Sequence, residues 1–259
     1  MIDIEAALPI VDSASVPAVS AATMAEVDRL AVDEFGIDLL QMMEQAGSHL
    51  AELVRLELGG DLRGRRVIVA AGPGNNGGGG LAAARHLANR GASVRVVLAR
   101  PVNRLSAAGH HQIATLLQMA VECCVAIYDV SDAELEEELA GADGAVDAIL
   151  GYRAAGEPRG EARLLVERLA GAGAPVISLD LPSGIDPDTG DAAGIAVCAA
   201  ATLTLALPKT GLLSPSGREH AGKAYLADIG LPAALYRRLE IEPGVPFAAG
   251  RIVRLRLPA

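Results

Sequence analysis

The sequence predicts an α/β fold built on a mostly parallel sheet covered by helices on both faces. Short apolar, β-branched runs such as Arg66–Ala70 alternate with helical segments along most of the 259 residues, the pattern of βαβ crossovers. Hydrophobic residues make up 51% of the chain and charged residues 21%, enough to bury one large core. No linker, low-complexity run or repeat divides the chain. The reading is a single domain over 17–259, preceded by an irregular arm over 1–16 that holds Pro9, Ser13 and Ser15 without a sustained period.

The elements follow in order. From Ser20 to Phe35 the pattern is helical: Ser20 can cap, and Met24, Val27, Leu30 and Ala31 recur at helical spacing before Gly36 stops the run. A second helix is predicted from Asp38 to Leu58, with Leu39, Met42, Met43, Ala46, Leu50 and Leu53 on its apolar side and Gly59-Gly60 ending it. Strands are then expected at Arg66–Ala70, Ser93–Leu98, Val125–Tyr128, Ala145–Leu150, Val176–Leu179 and Ala201–Leu207, with Lys223–Ala227 as a last short one. Helices are expected at Leu81–Asn89, Leu105–Met119, Asp132–Leu139 and Arg163–Leu169.

Composition narrows the function classes. Aromatics are 2% and Trp is absent, which argues against stacking platforms for single-stranded nucleic acid. A net charge of −10 argues against binding phosphate backbones by bulk electrostatics. Mean hydropathy is +0.33, yet the apolar runs break well before a membrane-spanning length. No basic segment leads into an apolar one at the start, so no secretory leader is expected. Cys123, Cys124 and Cys198 give no disulfide framework and read as small buried hydrophobes in a reducing cytoplasm.

In a parallel sheet, ligands sit beyond the carboxyl ends of the strands, where strand order reverses. Four segments fall there: Ala71–Gly80, Asp147–Gly156, Asp180–Gly190 and Pro208–Gly217. The first contains Gly72-Pro73-Gly74-Asn75-Asn76-Gly77-Gly78-Gly79-Gly80. Gly72, Gly74 and Gly77 satisfy G-x-G-x-x-G between strand and helix, which allows close backbone approach and offers free amides to an anionic group. The plain alternative is a flexible glycine turn. Asn75 and Asn76 add amides that suit a ribose, an amide or a monovalent cation, or that merely tolerate the left-handed conformation. At the end of the second strand an acid for a ribose is missing. Arg100 and Arg104 stand there instead.

Asp147 is embedded in one apolar strand and Asp180 closes another. A buried carboxylate is costly unless paired, coordinated or used, although capping of the Pro182-Ser183-Gly184 turn would also account for Asp180. Lys209 ends a further strand, either neutralising a buried acid, contacting a phosphate or lying on the surface. His49, His86, His110 and His111 show no metal-ligand spacing.

Together these segments resemble one family, the YjeF N-terminal domain, whose best-known members are NAD(P)H-hydrate epimerases. Val27-Asp28 and Met43-Glu44-Gln45-Ala46-Gly47 are similar to its opening helices, and Ala71 to Gly78 to its GxGNNGGDG loop. Val146 to Gly151, Leu179 to Asp186 with Asp188-Thr189-Gly190, Thr202 to Leu212 and Asp228 to Pro232 follow in family order. The resemblance spans about Pro17 to Pro232. It implies a Rossmann-like three-layer α/β/α sandwich, often a homodimer, that binds hydrated NADH or NADPH and a potassium ion. Carried over by position, Asn76, Asp147 and Ser183 would hold potassium. Gly74, Asn75, Asn76, Gly77, Gly78, Gly79, Gly151, Tyr152, Arg153 and Asp180 would contact the nucleotide substrate. Asp180 is then the candidate acid/base, with a separate dehydratase as a possible partner.

Two departures stand inside this predicted site. Gly79 replaces the family's Asp, and Tyr152-Arg153 replaces Thr-Gly after Gly151. Three readings follow: an epimerase that interconverts the R and S forms of 6-hydroxylated NADH or NADPH, a catalytically silent nucleotide-binding or interaction protein, and an enzyme on another nucleotide-like or phosphorylated substrate.

Overall fold

Residues 7–125, 130–154 and 156–257 are described by the structure, a computed structural model. Near the N-terminus, β1 (Ile10–Asp12) precedes two long helices, α1 (Ala21–Asp33) and α2 (Leu39–Glu57). Ser20 caps α1 by accepting from Thr23 N. At α2, Asp38 N donates to the Gln41 side chain in a capping box. The alternating part follows as β2 (Arg66–Ala71), α3 (Asn75–Asn89), β3 (Ser93–Leu98), α4 (Ala107–Gln118), β4 (Glu122–Val125), α5 (Asp132–Ala140), β5 (Gly144–Ala148), α6 (Gly160–Ala170), β6 (Val176–Leu179) and β7 (Ala201–Leu205). The chain then makes two short helices, α7 (Thr210–Leu213) and α8 (Pro215–Ala221), before β8 (Lys223–Ala227), α9 (Ala233–Arg237) and β9 (Ile252–Arg256).

Among the described residues, nine strands form one sheet in the order β1-β9-β8-β7-β6-β5-β2-β3-β4. Strands β2 to β8 are parallel. β9 pairs antiparallel with β8 and parallel with β1, so the last two run against the rest. The chain winds outward from β2 to β4, then returns to place β5 beside β2. That reversal is the switch point at which the parallel fold opens a crevice.

Side chains alternate across the sheet. Val69, Val96 and Val146 pack with Leu50, Leu53, Leu81, Leu87 and Leu116 from α2, α3 and α4. On the opposite face, Val97 and Ala145 pack with Leu135, Leu139, Leu165 and Leu169 from α5 and α6. The result is the three-layer α/β/α sandwich. A further cluster joins Met24, Val27 and Leu30 of α1 to Leu226, Leu235 and Val253, which fixes α1 against the β8 end of the sheet. No helix among the described residues is long and apolar enough to cross a membrane.

Several elements differ from the sequence reading. The irregular arm contains strand β1, recruited by β9; a three-residue edge strand leaves no readable period. Residues 1–6 of that arm lie outside the described residues. β9 has no counterpart in the sequence pattern, since its Arg254 and Arg256 interrupt the apolar run. β4 lies at Glu122–Val125 rather than Val125–Tyr128, and residues 126–129 lie outside the described residues, as do the side chains of Cys123 and Cys124. Cys198 is exposed rather than buried, with Sγ 3.5 Å from His220 Nδ1.

His49 on α2 is buried, and its Nε2 has no hydrogen-bond partner among the described residues. Burial pushes its pKa down because the charged ring is desolvated. The folded state therefore binds fewer protons than the unfolded one. Stability is complete above the ordinary histidine value of about 6.5 and is lost as pH falls toward the lowered folded value. Thermal melts between about pH 8 and 5 should show that decline, and His49→Gln should reduce it, the remainder including His86, whose pKa burial also pushes down.

Candidate functional site

The helix after β2 begins at Asn75, not near Leu81, with Gly74 as its N-cap. A run of four glycines is a poor helix sequence, but packing demands it. A Cβ on Gly77 would lie 1.8 Å from Gly72 O, one on Gly78 2.8 Å from the Met43 side chain, and one on Gly80 2.4 Å from Ala148 Cβ. Such contacts let α3 sit directly on the strand ends, with its first amides free of intrahelical partners. Gly77→Ala would press Cβ into backbone that cannot yield, and should cost about 3 kcal/mol in urea unfolding.

Asn76 Nδ2 donates to Leu150 O at 2.9 Å and Leu179 O at 3.2 Å, which clamps α3 to the ends of β5 and β6. Leu150 N in turn donates to Ser183 Oγ at 2.9 Å, and Ser183 Oγ donates to Asp147 Oδ1 at 2.5 Å. Asp147 Oδ2 accepts from Ser178 Oγ and Ser183 N, both at 2.8 Å, and Oδ1 also takes Ile149 N at 3.3 Å. The turn amide of Ser183 is thus capped by Asp147, not by Asp180. Asp147 is fully buried among neutral donors, and burial pushes its carboxyl pKa up. Among the described residues, no Lys, Arg or His bonds to it.

These strand ends open onto a cavity of about 430 Å³, within the range of small-molecule sites. Gly74, Asn75, Asn76, Gly79, Gly151, Tyr152, Arg153 and Asp180 line it. Gly77 and Gly78 do not: they are consumed by packing against Gly72 and Met43. Asp147 and Ser183 are not on the wall either. They lie beneath it, joined to it through Leu150 and Asn76.

Asp180 has φ +69°, a left-handed conformation that costs a non-glycine residue about 1 kcal/mol and is typical of functional strand ends. Its backbone turn brings Oδ1 to Lys209 Nζ and, at 3.5 Å, to Leu205 N, while Oδ2 accepts from Tyr152 N at 3.2 Å. Lys209 is 1% exposed and also donates to Leu205 O at 3.0 Å. It is held there because Val19 N donates to Pro208 O and Thr210 N to Val19 O. The structure thus adds Lys209 to the site and decides among its three sequence readings: it neutralises a buried acid.

Tyr152 does not plug the cavity. Its hydroxyl donates to Asp28 Oδ2 at 2.5 Å, and Arg153 Nε donates to that hydroxyl at 2.9 Å. Asp28, on α1, also lines the cavity; helical periodicity gave it no signal beyond its place beside Val27. At Gly79, where the resemblance implies Asp, a Cβ would come within 2.9 Å of the tip of Leu179 and 4.0 Å of Ala46 Cβ. Arg100 pairs with Glu161 at 3.3 Å and is not on the cavity wall. No group of three His, Cys, Asp or Glu able to hold a metal occurs among the described residues.

Comparison with known proteins decides the family. Residues 39–211 match the model described as YjeF-related protein N-terminus. The chain belongs to this family. An NAD(P)H-hydrate epimerase from Dehalogenimonas lykanthroporepellens is 41% identical over 233 residues, 90% of each chain. An NAD(P)H-hydrate epimerase from Pirellula staleyi is 38% identical, covering 84% of this chain and 94% of the relative. A bifunctional NAD(P)H-hydrate repair enzyme from Salinibacter ruber is 36% identical, and this chain spans 43% of its length. The crystal structure of yeast YNL200c superposes with a TM-score of 0.79 at 26% identity, covering 93% of this chain and all of that one.

Proposed function

We propose that this chain is an NAD(P)H-hydrate epimerase, interconverting the R and S forms of 6-hydroxylated NADH and NADPH. The observation that carries the reading is the buried Lys209–Asp180 pair on the wall of the 430 Å³ cavity, in a chain 41% identical to a relative of that name. In the hydrate, the hydroxyl sits on the carbon beside the ring nitrogen. The nitrogen lone pair assists its departure once a proton reaches the oxygen, leaving a planar iminium, and water returns to the opposite face. The acid/base reading puts proton transfer at Asp180, whose Oδ1 is bonded to Lys209 Nζ: the ammonium carries the proton, which passes through the carboxylate to the departing hydroxyl and is returned along the same path by the water that adds. The first-turn amides of α3, with Asn75, are suited to a phosphate of the nucleotide.

The donor set beneath the wall supports a potassium ion, which would take up oxygens that now accept from Ser178, Ser183 and Ile149. Asp147 is an enclosed carboxylate without a cationic partner among its bonds, and Asn76 and Ser183 offer further hard oxygens of the kind alkali cations take. Asn76, Asp147 and Ser183 would hold the ion. When bound it would offset the acid's charge and stiffen the strand ends that carry Asp180. We infer that a separate dehydratase acting on the same hydrate partners this chain; the relative from Salinibacter ruber, named a bifunctional NAD(P)H-hydrate repair enzyme, has length beyond the matched region.

The test is direct. Purified protein incubated with one hydrate epimer should bring it to the equilibrium mixture, followed by chromatography, and faster in potassium than in choline chloride at equal ionic strength. A nucleotide-induced rise in melting temperature without interconversion would replace this reading with the silent binding protein.

A further inference from the structure

Two carboxylates line this cavity, and the reaction above needs protons handled on both faces of the substrate ring. Asp180 is bound to Lys209. Asp28 comes from a different layer, on α1, and is bridged to Asp180 by a single residue: Tyr152 donates its backbone N–H to Asp180 Oδ2 and its hydroxyl to Asp28 Oδ2. The Tyr152 ring has Lys209 Nζ and the Arg153 guanidinium each 5.6 Å from its centroid, which holds it rigidly across the site. The second oxygen of Asp28, Oδ1, takes no hydrogen bond from the described residues, although the residue lines the cavity.

We infer that Asp28, oriented by Tyr152, is a second acid/base group of this site. The inference rests on the epimerase reading. The charged and titratable groups that face Asp28 are Tyr152 and Arg153 after β5, Asp180 after β6, Lys209 after β7 and Tyr236 on α9. Burial pushes the Asp28 pKa up, and the hydrogen bond from Tyr152 opposes that rise. One acid delivers a proton as the C–O bond breaks and water leaves. The other accepts a proton as water forms the new C–O bond on the opposite face. No electrons are gained or lost, and the two groups exchange protonation states, to be reset by solvent or by the reverse reaction. Tyr152 is then a positioning residue and not an obstruction, which gives a role to a bulky side chain at a position where the resemblance implies Thr.

The test uses the full chain once wild-type epimerisation has been recorded; an inert wild type would count against the epimerase reading itself. Asp28→Asn should lower kcat/KM about 100-fold or more, keep binding of unhydrated NADH within about twofold, and lose one limb of the pH profile. Tyr152→Phe, which keeps the acid but removes its hydrogen bond, should retain that limb and move it to higher pH. If Asp28→Asn fails to fold, the limb shift in Tyr152→Phe decides alone. An unchanged rate, or a rate lowered evenly at every pH with the limb in place, would overturn the assignment.

Discussion

Lys209→Met should lower the melting temperature by about 10 °C, the equivalent of roughly 3–5 kcal/mol in a chain of this size. The reason is not the worth of the pair itself. Lys209 and Asp180 are 1% and 3% exposed, so removing the ammonium leaves a largely desolvated carboxylate without its ion-pair partner. Breaking such a pair costs far more than replacing both members. The double variant Asp180→Asn/Lys209→Met should therefore recover most of the lost stability. That non-additivity, read by thermal and urea unfolding, separates an uncompensated charge from lost packing. Epimerisation should fall about 100-fold or more in the single variant and stay low in the double one.

Asp147→Asn should abolish the response to potassium. The wild-type carboxylate accepts from Ser178 Oγ, Ser183 Oγ, Ser183 N and Ile149 N. An amide offers one acceptor oxygen and turns an NH2 toward donors, so about 2 kcal/mol of stability should go with the mismatch. If the site binds potassium, adding about ten times the dissociation constant should stabilise the wild type by roughly 1.4 kcal/mol through mass action. Choline at equal ionic strength should not. In Asp147→Asn the two salts should give the same melting curve.

What the sequence made legible was whatever its local chemistry dictates. Ser20 as a cap, the apolar face of Leu39 to Glu57, and the strand at Ser93–Leu98 all appear at their expected places. Elements set by distant partners were not legible. β1 exists because β9 recruits it, and the glycines of α3 are helical because Gly72, Met43, Leu179 and Ala148 approach too closely for a Cβ. The same division holds in the site. Asp147 and Asp180 stood out as acids in apolar strands, whereas Asp28 lies 124 residues from the Tyr152 hydroxyl it accepts and shows only as one polar position on a helix. Lys209 looked ambiguous because its burial depends on Val19 pairing with the segment around it.

The account turns on Asp180 as the group that moves the proton. Wild-type protein and Asp180→Asn, both shown to be folded and to bind NADH, should be given one pure epimer of NADPH hydrate in potassium. The wild type should reach the equilibrium mixture while Asp180→Asn lags at least about 100-fold. Full turnover by Asp180→Asn would contradict the account.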